Sequence, residues 1–176
     1  FKNLILLVKD HLILFLIKRF QHRVNDEALL RIITKITDWN PWVITRKNKW
    51  GHINFDYKGT STNCKMYSAF LSDYWPLLLS VEPRLSQFNP NLKKSWIVKM
   101  GPGGGIFPHI DYQRNSSTVI PLGDNKGNVG FHLHYSLPSF ISFKYLGPTI
   151  IRTNITHSAY NTSNEDRYTL QFYNGE

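Results

Sequence analysis

His109 and Asp111 stand one residue apart, and they are the pair whose types and spacing best suit chemistry. In a helix, residues two apart diverge by about 200° and could not share a ligand; in an extended segment residues i and i+2 face the same side. A strand carrying the pair would aim an imidazole and a carboxylate at one point, which is the start of a metal site. Two ligands do not close such a site, so a third is required. His11, His22 and His52 lie in the first third of the chain, away from its β-rich part; His132, His134 and His157 remain.

His157 ends the apolar run TIIRTNIT, as if a strand carried it to the rim of a barrel. Arg167 opens the last apolar segment, RYTLQFYN. Alternation there puts Arg167 and Thr169 on one face and Tyr168, Leu170 and Phe172 on the other. A guanidinium and a hydroxyl on one face suit a carboxylate. The apolar face has to be covered, and N-terminal helices are available for that. Together, His109, Asp111 and His157 would form the two-histidine, one-carboxylate set that leaves positions open on non-haem Fe(II). The rival ligand pair is His132-x-His134, two imidazoles on one strand face, whose other reading is pocket lining.

The elements that must position these residues are partly legible. MGPGGGIFPHIDYQR, residues 100–114, supplies glycines for turns barred to other residues. Pro108 then favours an extended residue before it. After Pro90 come KSWIVKM, STVIPL, NVGFHLHYS, SFISFKYL, PTIIRTNITH and RYTLQFYN, short runs separated by Gly, Pro and Asn. That pattern predicts a sandwich or barrel of strands. Upstream, Asn25-Asp26-Glu27 precedes apolar residues at 29, 32, 33 and 36, which predicts a capped amphipathic helix over about 26–38. A second helical region is expected over 65–88, broken near Pro76 and Pro83, with loop and short strands over 42–62. The fold class is α+β, mainly β: a double-stranded β-helix (jelly-roll) core with N-terminal helices packed on one face. It reads as a single domain over 1–176, with 1–92 mainly helical and 93–176 the jelly-roll core.

The order His109-x-Asp111, His157, Arg167-x-Thr169 resembles the Fe(II)- and 2-oxoglutarate-dependent dioxygenase superfamily. GPGGGIFPHID and HSAYNTSNEDRYTL look most like its aspartyl/asparaginyl β-hydroxylase and prolyl-hydroxylase-like branches, the former through His157, Asn161 and Arg167. The Arg-x-His common there after the His-x-Asp turn is absent, since no histidine follows Arg114. The resemblance covers roughly residues 96–174. It implies Fe(II) held by His109, Asp111 and His157, with 2-oxoglutarate chelating the metal as co-substrate. Arg167 and Thr169 would bind its distal carboxylate, and Thr118 would add a hydrogen bond. It also implies hydroxylation of an amino-acid or peptidyl side chain. A cupin-type metal-dependent hydrolase or isomerase, and a non-catalytic jelly-roll binding module, stay open as other classes.

Bulk properties narrow the rest. With 41% hydrophobic residues the chain can build a packed core, and a net charge of +9 would attract anions. No run of five or six basic residues appears, which makes nucleic acid an unfavoured partner beside a small-molecule or peptidyl substrate. Cys64 stands alone, so no internal disulfide forms and a reducing, cytoplasmic setting is expected. Lys9-Asp10-His11 interrupts the N-terminal apolar runs, and neither reaches the roughly 18 residues of a membrane span. The Asn-x-Ser/Thr triplets at 115, 154 and 161 read as chance. Trp96, Tyr112 and Tyr135 are aromatic candidates for a pocket wall. No Gly-Lys-Ser/Thr follows GPGGG, which argues against a phosphate loop.

Overall fold

The computed structural model describes residues 17–21, 23–41, 65–111, 114–124, 128–132 and 140–173. The expected loop and strands of 42–62 lie outside these residues, as do Cys64, Tyr112, His134 and Tyr135. Among the described residues, no helix is long and apolar enough to cross a membrane.

Helix α1, Asp26–Ile33, starts where the sequence says it should: the Asn25 side chain accepts from the Ala28 amide at 3.2 Å, and Asp26 and Glu27 sit in the first turn. It stops earlier than expected. The Lys35 and Ile36 amides bond back three residues instead of four, so the last turn tightens while Ile36 stays buried. The helical region expected over 65–88 is corrected more substantially. Met66–Phe70 is a strand paired with Trp96–Met100, and only Leu71–Val81 forms helix α2. Pro76 lies inside α2 without ending it, and Pro83–Phe88 continues as a 3-10 turn. Buried Glu82 accepts from the Asn25 amide and from Arg84, tying the end of α2 to the start of α1. The Arg84 hydrogen bond holds its carboxyl below the usual range.

The strands are β1 (Ile17–Arg19), β2 (Asn40–Pro41), β3 (Met66–Phe70), β4 (Trp96–Met100), β5 (Gly105–His109), β6 (Ser116–Leu122), β7 (Asn128–His132), β8 (Phe140–Lys144), β9 (Thr149–Arg152), β10 (His157–Tyr160) and β11 (Arg167–Tyr173). They form two antiparallel sheets, ordered β1-β9-β6-β11-β4-β3-β2 and β5-β10-β7-β8. From β4 to β11 the chain crosses between sheets at every step except β7 to β8, the winding of a jelly roll. The middle strands of the seven-stranded sheet are buried on both faces. Ile97, Ile120, Leu122, Leu170 and Phe172 join Leu29, Ile33, Leu71 and Leu78 in one apolar cluster on its outer side. Val98, Met100 and Met66, with Ile106 of the other sheet, fill part of the space between the sheets.

The glycine run serves this architecture at two positions. Gly103 has φ +67°, which other residues adopt with strain. Gly105 lies so close to β10 that an added Cβ would stand 3.0 Å from the Ala159 carbonyl oxygen. Gly105→Ala should therefore push β5 off β10 and destabilise by roughly 1–3 kcal/mol. Gly147→Ala, whose Cβ meets nothing within 4 Å, should stay within about 0.5 kcal/mol. Urea unfolding of the two variants checks the contrast, and equal midpoints would contradict the close approach.

Candidate metal centre

The two histidines are brought together by pairing of β5 with β10, where His109 stands directly opposite His157. Their ring centroids are 4.3 Å apart. Strict alternation could not produce this. Ile106 and His109 both line the cavity between the sheets, although they are three residues apart on one strand. The register explains it: from His157 to Ala159 β10 advances two residues, while β5 goes from His109 to Ile106, three. The extra residue is a bulge on β5, which reverses the facing of the residues beyond it. Pro108 lies in it and has no N–H to give the ladder.

Asp111 comes just after the strand end and is anchored by its amide to the Thr153 carbonyl at 2.8 Å. Its Oδ1 lies 3.5 Å from His109 Nε2, and its Oδ2 lies 3.9 Å from His157 Nε2. One ligand atom from each of the three residues falls within 4.8 Å of the others. His157 Nδ1 donates to the Ile155 carbonyl oxygen at 2.9 Å. A carbonyl can only accept, so the proton sits on Nδ1 and the Nε2 lone pair faces the cluster. Burial pushes the His157 pKa down to about 4; the nearby His109 adds to this, while Asp111 and the Ile155 carbonyl oppose it.

Arg167 and Thr169 lie on the cavity face of β11, and Leu170 and Phe172 on the outer face. The cavity contains His109 and His157 in the same lining. Arg167 is 4% exposed. Its Nη1 donates to the Tyr160 carbonyl at 3.2 Å, its guanidinium carbon lies 5.3 Å from the centre of the Tyr145 ring, and Nε has no hydrogen-bond partner among the described residues. Burial draws its pKa below the usual guanidinium value, and it pushes the Tyr145 phenol up to about 12. Tyr145 therefore stays neutral and Arg167 stays charged.

Thr118 requires a correction. It is fully buried, but it pairs across β6 and β11 with Phe172 and shares the parity of Ile120 and Leu122, which belong to the outer cluster. Its neighbour Val119 lines the cavity instead. Asn161 proves to be a clamp for loops: its amide donates to Met100, Gly101 and Glu165 carbonyls at 2.9, 3.2 and 2.7 Å. His132 sits in β7, and its side chain lies outside the described residues with His134.

Sequence reasoning missed Arg114 and Gln171. Arg114 Nε donates to Asp111 Oδ2 at 2.7 Å, and its guanidinium stacks 5.4 Å from the Trp96 ring centre. Trp96 thus acts as a platform for an arginine. Gln171 lines the cavity on the Arg167 face, two residues beyond Thr169, and alternation along RYTLQFYN could have found it.

No protein-family model matches the chain, and no curated protein does. Solved structures with partial likeness include YcfD, a ribosomal oxygenase from Escherichia coli in complex with cobalt and succinic acid. It shares 16% identity over 63% of this chain and 32% of that one, with a TM-score of 0.38. Oxalate decarboxylase from Bacillus subtilis, described with Mn(II) centres, gives 14%, 61%, 25% and 0.36. The capsular polysaccharide assembling protein CapF from Staphylococcus aureus gives 18%, 44%, 21% and 0.36. The chain spans about a fifth to a third of the length of these proteins. At such scores the likenesses carry no argument about function, which rests on the site itself.

His157 gives the centre a measurable pH signature. Its ordinary value is 6.5 and its value in the fold is about 4. Between those limits the unfolded chain binds a proton that the folded chain refuses. Stability present above pH 6.5 is therefore lost as pH falls toward 4, with a slope approaching one proton, about 1 kcal/mol per pH unit. Urea unfolding across this range should show the slope in the metal-free protein, and His157→Gln should remove its share. An unchanged pH dependence in the variant would contradict the burial of a neutral imidazole.

Proposed function

We propose that the chain is an Fe(II)- and 2-oxoglutarate-dependent dioxygenase that hydroxylates an amino-acid or peptidyl side chain. One observation carries this reading. A cluster of two histidines and one carboxylate shares its cavity with a buried guanidinium that has no carboxylate partner among the described residues. The donor set suits Fe(II), with imidazole nitrogens, carboxylate oxygen and no thiolate. Ligands about 2.1 Å from one ion stand about 3 Å apart when adjacent. The 3.5 Å between Asp111 Oδ1 and His109 Nε2 therefore has to close by about 0.5 Å, and the three ligand atoms, within 4.8 Å of one another, have to draw together around the ion.

His109, Asp111 and His157 would hold the iron, and Arg167 with Thr169 the distal carboxylate of 2-oxoglutarate. With its co-substrate bound, the iron supplies an oxidation that couples decarboxylation to succinate with hydroxylation of the substrate. The protein's own residues do the positioning. Neutral His157 offers a lone pair without first losing a proton. Arg167 is held from behind by the Tyr160 carbonyl and flanked by Tyr145, leaving Nε for an anion. Val98, Met100, Val119, Val129 and Ile151 make the cavity walls apolar, which strengthens that pairing and excludes water. The choice of an amino-acid or peptidyl substrate rests on the branch resemblance.

Two measurements test the reading. Protein supplied with Fe(II), 2-oxoglutarate and air should release succinate; no turnover and no 2-oxoglutarate binding would sink it. Arg167→Ala should weaken 2-oxoglutarate binding about 10- to 100-fold, the size of a lost charged hydrogen bond, while leaving metal affinity unchanged. Equal loss of both would contradict the carboxylate role and favour a metal-dependent hydrolase or isomerase.

A further inference from the structure

Among the described residues, Arg114 is the charged side chain in hydrogen-bond contact with Asp111. Nε donates to Oδ2 at 2.7 Å; Oδ1 lies 3.5 Å from His109 Nε2 and Oδ2 lies 3.9 Å from His157 Nε2, so both oxygens are within reach of the cluster and only Oδ2 carries the arginine. The Arg114 guanidinium carbon lies over the Trp96 ring, 5.4 Å from the centre, and its side chain is only 11% exposed. The backbone on either side is pinned as well. Thr153 Oγ1 donates to the Arg114 carbonyl at 3.1 Å, and the Thr153 and Asp111 amides bond to the Asn115 and Thr153 carbonyls at 3.0 and 2.8 Å.

A carboxylate facing a metal can bind through one oxygen or through both. Six positions surround Fe(II) in octahedral geometry; two imidazoles and one oxygen fill three. A chelating co-substrate needs two more, and dioxygen the last. If Asp111 bound through both oxygens, that count would fail by one. We propose that Arg114 is a positioning residue that occupies Asp111 Oδ2 and so keeps Asp111 a one-oxygen ligand, preserving the third open position. This rests on the metal-centre reading above. It assigns a function to a residue outside the His-x-Asp, His, Arg pattern.

The test uses Co(II) as the metal probe, read by chelator competition and by the visible absorption of the bound ion. Outer partners of metal ligands typically contribute about 10- to 100-fold to affinity. R114M should lose Co(II) affinity by that factor and shift its absorption bands, which track coordination number. R114K, which keeps a cationic donor near Oδ2, should stay within a few-fold of wild type with the original bands. Where R114M folds poorly, the wild-type protein decides. Its infrared difference spectrum, metal-loaded minus metal-free, should carry the widely separated carboxylate stretches of one-oxygen ligation. Unchanged affinity and spectrum in R114M, or two-oxygen ligation in the wild type, overturns the Arg114 assignment alone. Failure of the wild type to bind Co(II) overturns it together with the metal-centre reading.

Discussion

The bulge on β5 is the constraint on which the centre depends. A strand presents alternate residues to alternate faces, so a slip of one residue turns every later side chain to the other side. Ile106 belongs to the packing between the sheets, and unbroken alternation would send His109 outward. One extra residue before His109, in a stretch where Pro108 cannot join the ladder, turns the imidazole inward to meet His157. Gly105 makes the same strand lie close enough to β10 for that pairing to be firm. Remove the bulge and the three ligands no longer face one another, whatever their order in the sequence.

The second constraint is electrostatic. Burying a guanidinium without an opposing carboxylate is unfavourable, and proteins keep such groups where something else compensates. Among the described residues the compensation is partial: one carbonyl, one aromatic face and a thioether at Met100. The sheet bearing Arg167 can carry this burden because its other face is locked into the helix-covered cluster through Leu170 and Phe172. Stability and chemistry thus divide along β11 by parity. Odd positions face the cavity and even positions face the core.

That division explains which features were legible in the sequence. Regular alternation is a local property, and it correctly separated Arg167 and Thr169 from Leu170 and Phe172. The N-cap at Asn25 is equally local. Thr118 failed because parity within a strand says which residues share a face, not which face meets the cavity; that is set by the register against β11. Met66–Phe70 failed for a similar reason, since its strand character comes from pairing with β4, a contact made across an interval of almost thirty residues. Arg114 stands three residues from Asp111, but nothing local marks that contact as fixed. Its other partners, Trp96 and Thr153, are 18 and 39 residues away, and only the folded loops bring them together.

The site is also spread over the chain in a way that ties it to complete folding. His109 ends a strand, Asp111 lies in the loop beyond, and His157 begins another strand, with the loop at Thr153 bonded to the backbone at both Asp111 and Asn115. Asn161 does the equivalent work at the opposite end, fastening the turn before Arg167 to the glycine loop before β5. The ligand-bearing segments are therefore held by backbone bonds in addition to the contacts of Asp111 with Arg114 and of His157 with the Ile155 carbonyl. The imidazoles and the carboxylate therefore do not hold the loops alone. They can be pre-set in the metal-free protein, and binding energy need not be spent on ordering them.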